Sequence, residues 1–261
     1  GVVTEPATLI LGENTTPATC YGYSDGSATV QPQGGTSPYS YYWSNSSITM
    51  INSGLTFGQY TVDVFDANGC VAAASLNVGQ PTEINAILTT IDVNCYGAST
   101  GVVTATNVSG TSPPYAYFWS NGSTGIIINN LIADAYFLTL TDADGCFNTF
   151  DTVITENIAI SAILTPVNIS VNGANDGTIS TVITGGIAPY TYSWSGPPNY
   201  SSTSKDINGL SQGIYKLTVT DDKGCVKEFQ QVITEPDCDL TVDTSYYIAP
   251  EVLKNKYNEK C

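Results

Sequence analysis

Pro38-Tyr39-Ser40-Tyr41-Tyr42-Trp43-Ser44 is the stretch that decides how this chain folds. Residues 39, 41 and 43 share one face of an extended strand, because successive strand side chains point to opposite sides. The phrase returns at Pro114-Tyr115-Ala116-Tyr117-Phe118-Trp119-Ser120 and at Pro189-Tyr190-Thr191-Tyr192-Ser193-Trp194-Ser195. Each copy is followed by Leu-x-x-Gly-x-Tyr or a near variant, and then by Asp-x-x-Gly-Cys ending at Cys70, Cys146 and Cys225. Those ends are spaced 146−70 = 76 and 225−146 = 79 residues apart. A fixed period of this kind makes each unit one structural module and the chain an array.

Period-two alternation continues beyond the aromatic stretch. Tyr60, Val62 and Val64 share a face, as do Tyr136, Leu138 and Leu140, and Tyr215, Leu217 and Val219. Gly34-Gly35 and Gly185-Gly186 mark turns before the aromatic strand. Asp66-Ala67-Asn68-Gly69, Asp142-Ala143-Asp144-Gly145 and Asp221-Asp222-Lys223-Gly224 read as tight hairpin turns in which Gly supplies a positive φ. No segment carries a helical stripe. The fold expected is all-β, with tandem immunoglobulin-like β-sandwich modules stacked end to end. Leu55-x-x-Gly58-x-Tyr60 and Leu210-x-x-Gly213-x-Tyr215 look like a tyrosine corner, in which an early strand Tyr bonds back to the preceding chain. The second copy has Asp134 in place of Gly, and Asp tolerates the left-handed conformation expected of that turn.

Punctuation at Thr4-Glu5-Pro6, Gly79-Gln80-Pro81, Thr155-Glu156-Asn157 and Thr234-Glu235-Pro236 divides the chain. Residues 1–4 read as the end of a preceding repeat. Residues 5–80, 81–156 and 157–235 are the three repeats, and 236–261 begins a following one with an atypical tail. The missing linkers between modules argue for a stiff rod of about 35–40 Å per module, on the order of 100–120 Å in all.

Composition removes several function classes. Seven Lys, no Arg and 23 acidic residues give a net charge of −16, and the first Lys is Lys205. Nucleic acid is excluded as a partner because phosphate neutralisation needs Lys or Arg. Attraction to an anionic membrane fails for the same reason, and no run of 18 apolar residues occurs for direct membrane insertion.

A module of this size buries a thin core and needs reinforcement. Seven Cys and no His point to disulfides in an oxidising, extracellular setting rather than to zinc. Cys20 and Cys70 bracket the first repeat, and Cys95 and Cys146 the second, so the expected bonds are Cys20–Cys70 and Cys95–Cys146. Val171 stands where the third repeat should have its first Cys. Cys225 is therefore expected to be unpaired and packed beside Val171, with the third repeat the first to unfold. Cys238 is no substitute, since a strand spanning about 27 Å separates it from Cys225 and bridged α-carbons must lie within about 7 Å. Pairing of Cys238 and Cys261 stays open.

Together these motifs resemble the SprB-type repeat of the gliding-motility adhesins of gliding Bacteroidetes. The match includes Cys20-Tyr21-Gly22 with Gly26, Cys95-Tyr96-Gly97 with Gly101, and Val171-Asn172-Gly173 with Gly177. The resemblance implies a very large secreted surface protein exported by the type IX route. Tyr246-Tyr247-Ile248-Ala249-Pro250-Glu251-Val252-Leu253, with the residues to Cys261, resembles the Ala-Pro-Glu segment of a calcium-dependent protein kinase. Kinase activity is excluded, because the chain has no Gly-rich phosphate loop, no His or Arg for the catalytic loop and no Asp-Phe-Gly.

No catalytic residue, metal ligand or cofactor is expected. Without His, a Ser or Cys nucleophile lacks its usual base. Asp142 and Asp144 are too few for calcium, which takes six or more oxygens. The Tyr/Tyr/Trp trios fit the core better than a sugar platform, whereas Tyr42 and Phe118 fall on the opposite face as candidates for exposed contacts. Weak glycosylation sequons occur at Asn14, Asn45, Asn107, Asn121, Asn168 and Asn199. The function expected is a non-enzymatic cell-surface stalk or filament for adhesion, including gliding motility. Its partners would be further repeats of the same protein, surface polysaccharide or another cell-surface protein. The alternatives are a carbohydrate-binding accessory region of a secreted enzyme and an architectural fibre or sheath subunit.

Overall fold

The computed structural model describes residues 7–236. The readings placed on residues 1–6 and 237–261, including Cys238, Cys261 and the kinase-like tail, lie outside these described residues.

Every element of the described residues is a β-strand. The first repeat holds β1 (Ile10–Thr16), β2 (Gly26–Gln33), β3 (Ser40–Trp43), β4 (Ile51–Leu55), β5 (Gly58–Phe65) and β6 (Val71–Val78). They form two antiparallel sheets, ordered β1-β2-β4 and β3-β5-β6. This is the immunoglobulin arrangement of strands A-B-E on one sheet and C-F-G on the other. The second repeat repeats it with β7 (Asn85–Ile91), β8 (Gly101–Ser109), β9 (Ala116–Trp119), β10 (Ile127–Leu131), β11 (Asp134–Thr141) and β12 (Phe147–Ile154), ordered β10-β8-β7 and β12-β11-β9. The third has β13 (Ser161–Val167), β14 (Gly177–Thr184), β15 (Thr191–Gly196), β16 (Tyr200–Ser202), β17 (Ile207–Leu210), β18 (Gly213–Thr220) and β19 (Val226–Ile233). Its short β16 adds an edge strand, giving β16-β15-β18-β19 against β13-β14-β17.

Contacts gather the chain into two compact units. Of the described residues, one contains 7–90 with Val103–Ile128 and Ala135–Val153; the other contains Ile91–Val102, Asn129–Asp134 and 154–236.

In the first unit Ala28, Val30, Trp43, Leu55, Val62, Val64, Ala74, Leu76 and Val78 close one core between the two sheets, with Tyr39, Tyr41 and Tyr60 packed against it. In the second unit Trp194, Ile207, Leu210, Tyr215, Leu217, Val219 and Ile233 do the same, with Tyr190 and Tyr192 at the margin. The aromatic trios therefore serve the core. Each Trp hides its ring and satisfies its indole N–H on a backbone carbonyl: Trp43 to Thr49 at 2.8 Å, Trp119 to Gly125 at 2.8 Å and Trp194 to Ser204 at 3.1 Å. Desolvation by the core, and then the neighbouring Tyr39, pushes the Tyr41 phenol up; desolvation followed by Tyr190 and Asp206 does so at Tyr192.

The tyrosine corner is present in both places read for it. Tyr60 Oη donates to the Thr56 carbonyl and Tyr215 Oη to the Ser211 carbonyl, each at 3.1 Å. Gly58 and Gly213 hold φ of 154° and 150° at these corners. Asp134 opens β11 three residues after Leu131, as Gly58 follows Leu55 and Gly213 follows Leu210, so the strand spacing of the turn is kept without the left-handed conformation expected of Asp134. Among the described residues the non-glycine positions with positive φ are Ser46, Asn107 and Asn130.

Candidate functional site: the junction between consecutive repeats

Two loops recur in each repeat, one before β2, β8 or β14 and one in the last hairpin. The first carries Cys-x-Gly in the first two repeats and Val171-Asn172-Gly173 in the third. In the first repeat Asp25 closes it, its carboxylate accepting from the Thr19 N–H at 2.9 Å and from the Thr19 hydroxyl. Those bonds, the hydroxyl first, hold the Asp25 carboxyl below the ordinary carboxylate range. In the third repeat Asp176 accepts from the Ser170 N–H at 3.0 Å, and the Ser170 hydroxyl is the main reason its carboxyl is lowered too. The loop is also tied to the segment that ends its own repeat. The Ala18 N–H reaches the Gly79 carbonyl at 3.0 Å, Val93 reaches Thr155 at 2.9 Å and Ile169 reaches Thr234 at 3.3 Å. Gln80 and Glu156, read from sequence only as punctuation, cap these loops. Gln80 Oε1 accepts from the Gly22 N–H at 3.0 Å and Glu156 Oε2 from the Gly97 N–H at 2.6 Å.

The last hairpin is held by its first Asp. Asp66 Oδ1 accepts from the N–H groups of Asn68 and Cys70 at 2.9 and 2.8 Å, and Oδ2 from Thr36 at 2.9 Å. Asp221 does the same with Lys223, Cys225 and Ile187 at 2.9, 2.9 and 3.0 Å. Asp142 accepts from Asp144 and Cys146 at 3.0 and 2.9 Å. Burial pushes the Asp66 and Asp221 carboxyls up, but the converging N–H donors outweigh it and both are lowered. These carboxylates position the following Cys and are already committed to backbone amides.

The two loops meet across repeats. Cys20 is bonded to Cys146 and Cys95 to Cys225, each pair with α-carbons 5.5 Å apart. Cys70 is free and exposed. The expected Cys20–Cys70 and Cys95–Cys146 bonds, and an unpaired Cys225 beside Val171, are thus corrected. The reason is geometric. Cys70 sits at the start of β6, whereas the Cys20 loop is hydrogen-bonded to Gly79 just past its end. Eight strand residues separate the two levels, about 27 Å, far beyond disulfide reach. β12 separates Cys146 from the Cys95 loop in the same way. Val171 is half-exposed at the first loop of the third repeat and plays no part in either bond.

Beside Cys20–Cys146, Tyr21 and Tyr23 line a cleft together with Ile84, Asp142, Phe147 and Asn148. Beside Cys95–Cys225, Tyr96 lines a cleft together with Ile158, Ile160, Asp221 and Val226. Both Cys of the first pair are buried, and both of the second are partly buried. The remaining surface readings fall where alternation puts them. Tyr42 and Phe118 are exposed, and Tyr42 stands edge-to-face on Phe65 at 5.7 Å, beside Asp63 and Ser40 in a shallow depression. The six sequon Asn residues are all exposed. No helix of the described residues is long and apolar enough to cross a membrane.

A family model described as the SprB repeat matches the chain at residues 12–48, 87–124 and 163–199. Among solved structures, the chain is similar to the N-terminal four Ig domains of Dscam1 isoform 6.44, with 12% identity and a TM-score of 0.25 over 87% of this chain and 73% of that one. It is also similar to the N-terminal eight Ig domains of DSCAM isoform 1.30.30, with 13% identity and a TM-score of 0.25 over 87% of this chain and 37% of that one. No curated protein matches.

Proposed function

Because this chain carries three SprB repeats, we propose that it is a load-bearing, non-enzymatic segment of a cell-surface adhesin, exported by the type IX route and working in adhesion and gliding. Its modules divide at residues 80/81 and 156/157, and its structural partners are further repeats of the same protein. The observation that carries the reading is the pair of bonds between consecutive repeats, Cys20–Cys146 and Cys95–Cys225. Covalent joining of one repeat's loop to the next repeat's hairpin suits a part whose role is to stay joined under load. Tension that unfolds one sandwich is still carried by a covalent shortcut. Stability in such an array is the sum of module and neighbour terms, and the bonds add to the neighbour terms. Disulfides also fit an oxidising compartment outside the cytoplasm.

The ligand class supported by the surface is polysaccharide or another cell-surface protein, met by exposed aromatics such as Tyr42. Antibody raised against this chain tests the reading. Decoration of filaments on intact, unpermeabilised cells is the expected result. Labelling only after lysis contradicts it.

A further inference from the structure

We propose that Cys70 is the receiving half of a third junction, bonded in the mature protein to the first-loop cysteine of an SprB repeat placed immediately before this one. The inference rests on the array reading above and extends it to a residue that the two observed bonds leave unused.

The hairpin that presents Cys70 is built like the two that already receive a bond. The Asp66 N–H reaches the Cys70 carbonyl at 3.0 Å, as Asp142 reaches Cys146 at 2.9 Å and Asp221 reaches Cys225 at 3.0 Å. The carboxylate of each Asp accepts two hydrogen bonds from the turn, one of them from the Cys N–H. In both later repeats the thiol so placed is bonded to the first loop of the repeat before it. In this first repeat it is free and exposed.

The surface beside the thiol is a second, separate match. Cys95 and Tyr96 line one cleft together with Ile158, Ile160, Gly186, Asp221 and Val226. The counterparts beside Cys70 are Ala7, Leu9, Gly35, Asp66 and Val71. The Gly35 N–H bonds the Ala7 carbonyl at 2.7 Å, as Gly186 bonds Ile158 at 2.7 Å. A Cβ on Gly35 would lie 3.0 Å from Asp66 Oδ2, and one on Gly186 lies 3.0 Å from Asp221 Oδ2. Gly35, Asp66 and Val71 are identical to their counterparts, Leu9 stands for Ile160, and the smaller Ala7 stands for Ile158. The first-loop cysteines of this chain are both committed, Cys20 to Cys146 and Cys95 to Cys225, and the third first loop has Val171. A partner of the same kind is therefore the first loop of another repeat.

The bond forms by oxidation of two thiols. Cys70 and its partner lose two protons and two electrons to a disulfide oxidant, which is reduced to two thiols, and one S–S bond is made.

The test extends the full chain with a second copy of residues 81–151 placed directly ahead of Gly1, so that Gly1–Thr4 continue it in the register of the repeat. After oxidation by glutathione disulfide, digestion without reduction should yield Cys70 bonded to the copy's equivalent of Cys95, with Cys20–Cys146 and Cys95–Cys225 retained. Native alkylation should label Cys70 fully in the unextended chain and not at all in the extended one. In the extended chain carrying Cys70→Ser, the copy's equivalent of Cys95 should become labelled as well as its equivalent of Cys146, which is labelled in both extended chains. Cys70 left free, bonded to a second molecule's Cys70, or bonded to Cys238 or Cys261 overturns the proposal while the two retained bonds leave the array reading standing. Loss of those two bonds overturns both.

Discussion

Cys95 and Cys225 are 130 residues apart in sequence and bonded, with α-carbons 5.5 Å apart, and the bond ties the first loop of one repeat to the last hairpin of the next. Closing so long a loop is worth about 5 kcal/mol in the chain-entropy model. The Cys95→Ser, Cys225→Ser double variant should therefore lose about 2–5 kcal/mol in denaturant unfolding of the third repeat. A loss below about 0.5 kcal/mol, the level of an ordinary surface change, would show that the bond contributes nothing to stability.

Cys70 supplies the contrast. It is free and exposed, and its backbone bonds to Asp66 do not depend on the thiol. Cys70→Ser in the unextended chain should shift stability by no more than about 0.5 kcal/mol. A shift as large as that of the Cys95/Cys225 pair would mean that Cys70 is bonded within this chain.

The two tyrosine corners should differ in worth. Tyr215 is fully buried and its hydroxyl is bonded to the Ser211 carbonyl, whereas the equivalent bond of Tyr60 to Thr56 is exposed. Tyr215→Phe should cost about 1 kcal/mol or more, because the abandoned carbonyl is poorly placed to find water. Tyr60→Phe should cost less, since solvent can replace the hydroxyl there. Equal costs in thermal or chemical unfolding would contradict this ranking.

Acid should weaken the fold through named carboxylates. Asp25, Asp66, Asp92, Asp176 and Asp221 all sit below the ordinary value of 3.8 in the folded chain. A carboxyl lowered on folding stabilises the native state fully above its unfolded value, and that stability drains away as pH falls through its folded value. With no His in the chain, stability should be nearly flat from about pH 5 to 8 and fall below about pH 4. Asp66→Asn or Asp221→Asn should make the acid limb shallower. Unchanged stability down to about pH 2 would contradict the role given to these hairpins.

Most of the fold was legible because the signals are local. Alternation in Tyr39-Ser40-Tyr41-Tyr42-Trp43 named the inward Trp, and Leu-x-x-Gly-x-Tyr named the corner that Tyr60 and Tyr215 make. Pairing of the cysteines is not local, and bracketing in sequence misled. The count that was needed was available. The rule that barred Cys225 from Cys238, a strand of about 27 Å, applies equally to β6 between Cys70 and the Cys20 loop. The roles of Gln80 and Glu156 as caps of the Cys-x-Gly loops were hidden because their partners are backbone N–H groups 58 and 59 residues away.

Stretching single molecules of the chain tests the load-bearing junction most directly. In the oxidised protein the shortest covalent path from Cys20 to Cys225 crosses to Cys146, runs back 146−95 = 51 residues and crosses again. Fully unfolded, that path extends roughly 180 Å. After reduction the same interval is 225−20 = 205 residues, roughly 720 Å. Bonds confined within repeats would leave 95−70 = 25 and 225−146 = 79 residues in the path, roughly 360 Å. An oxidised contour near 180 Å between Cys20 and Cys225, lengthening about fourfold on reduction, is the predicted result. A contour near 360 Å, or one indifferent to reductant, would contradict the account.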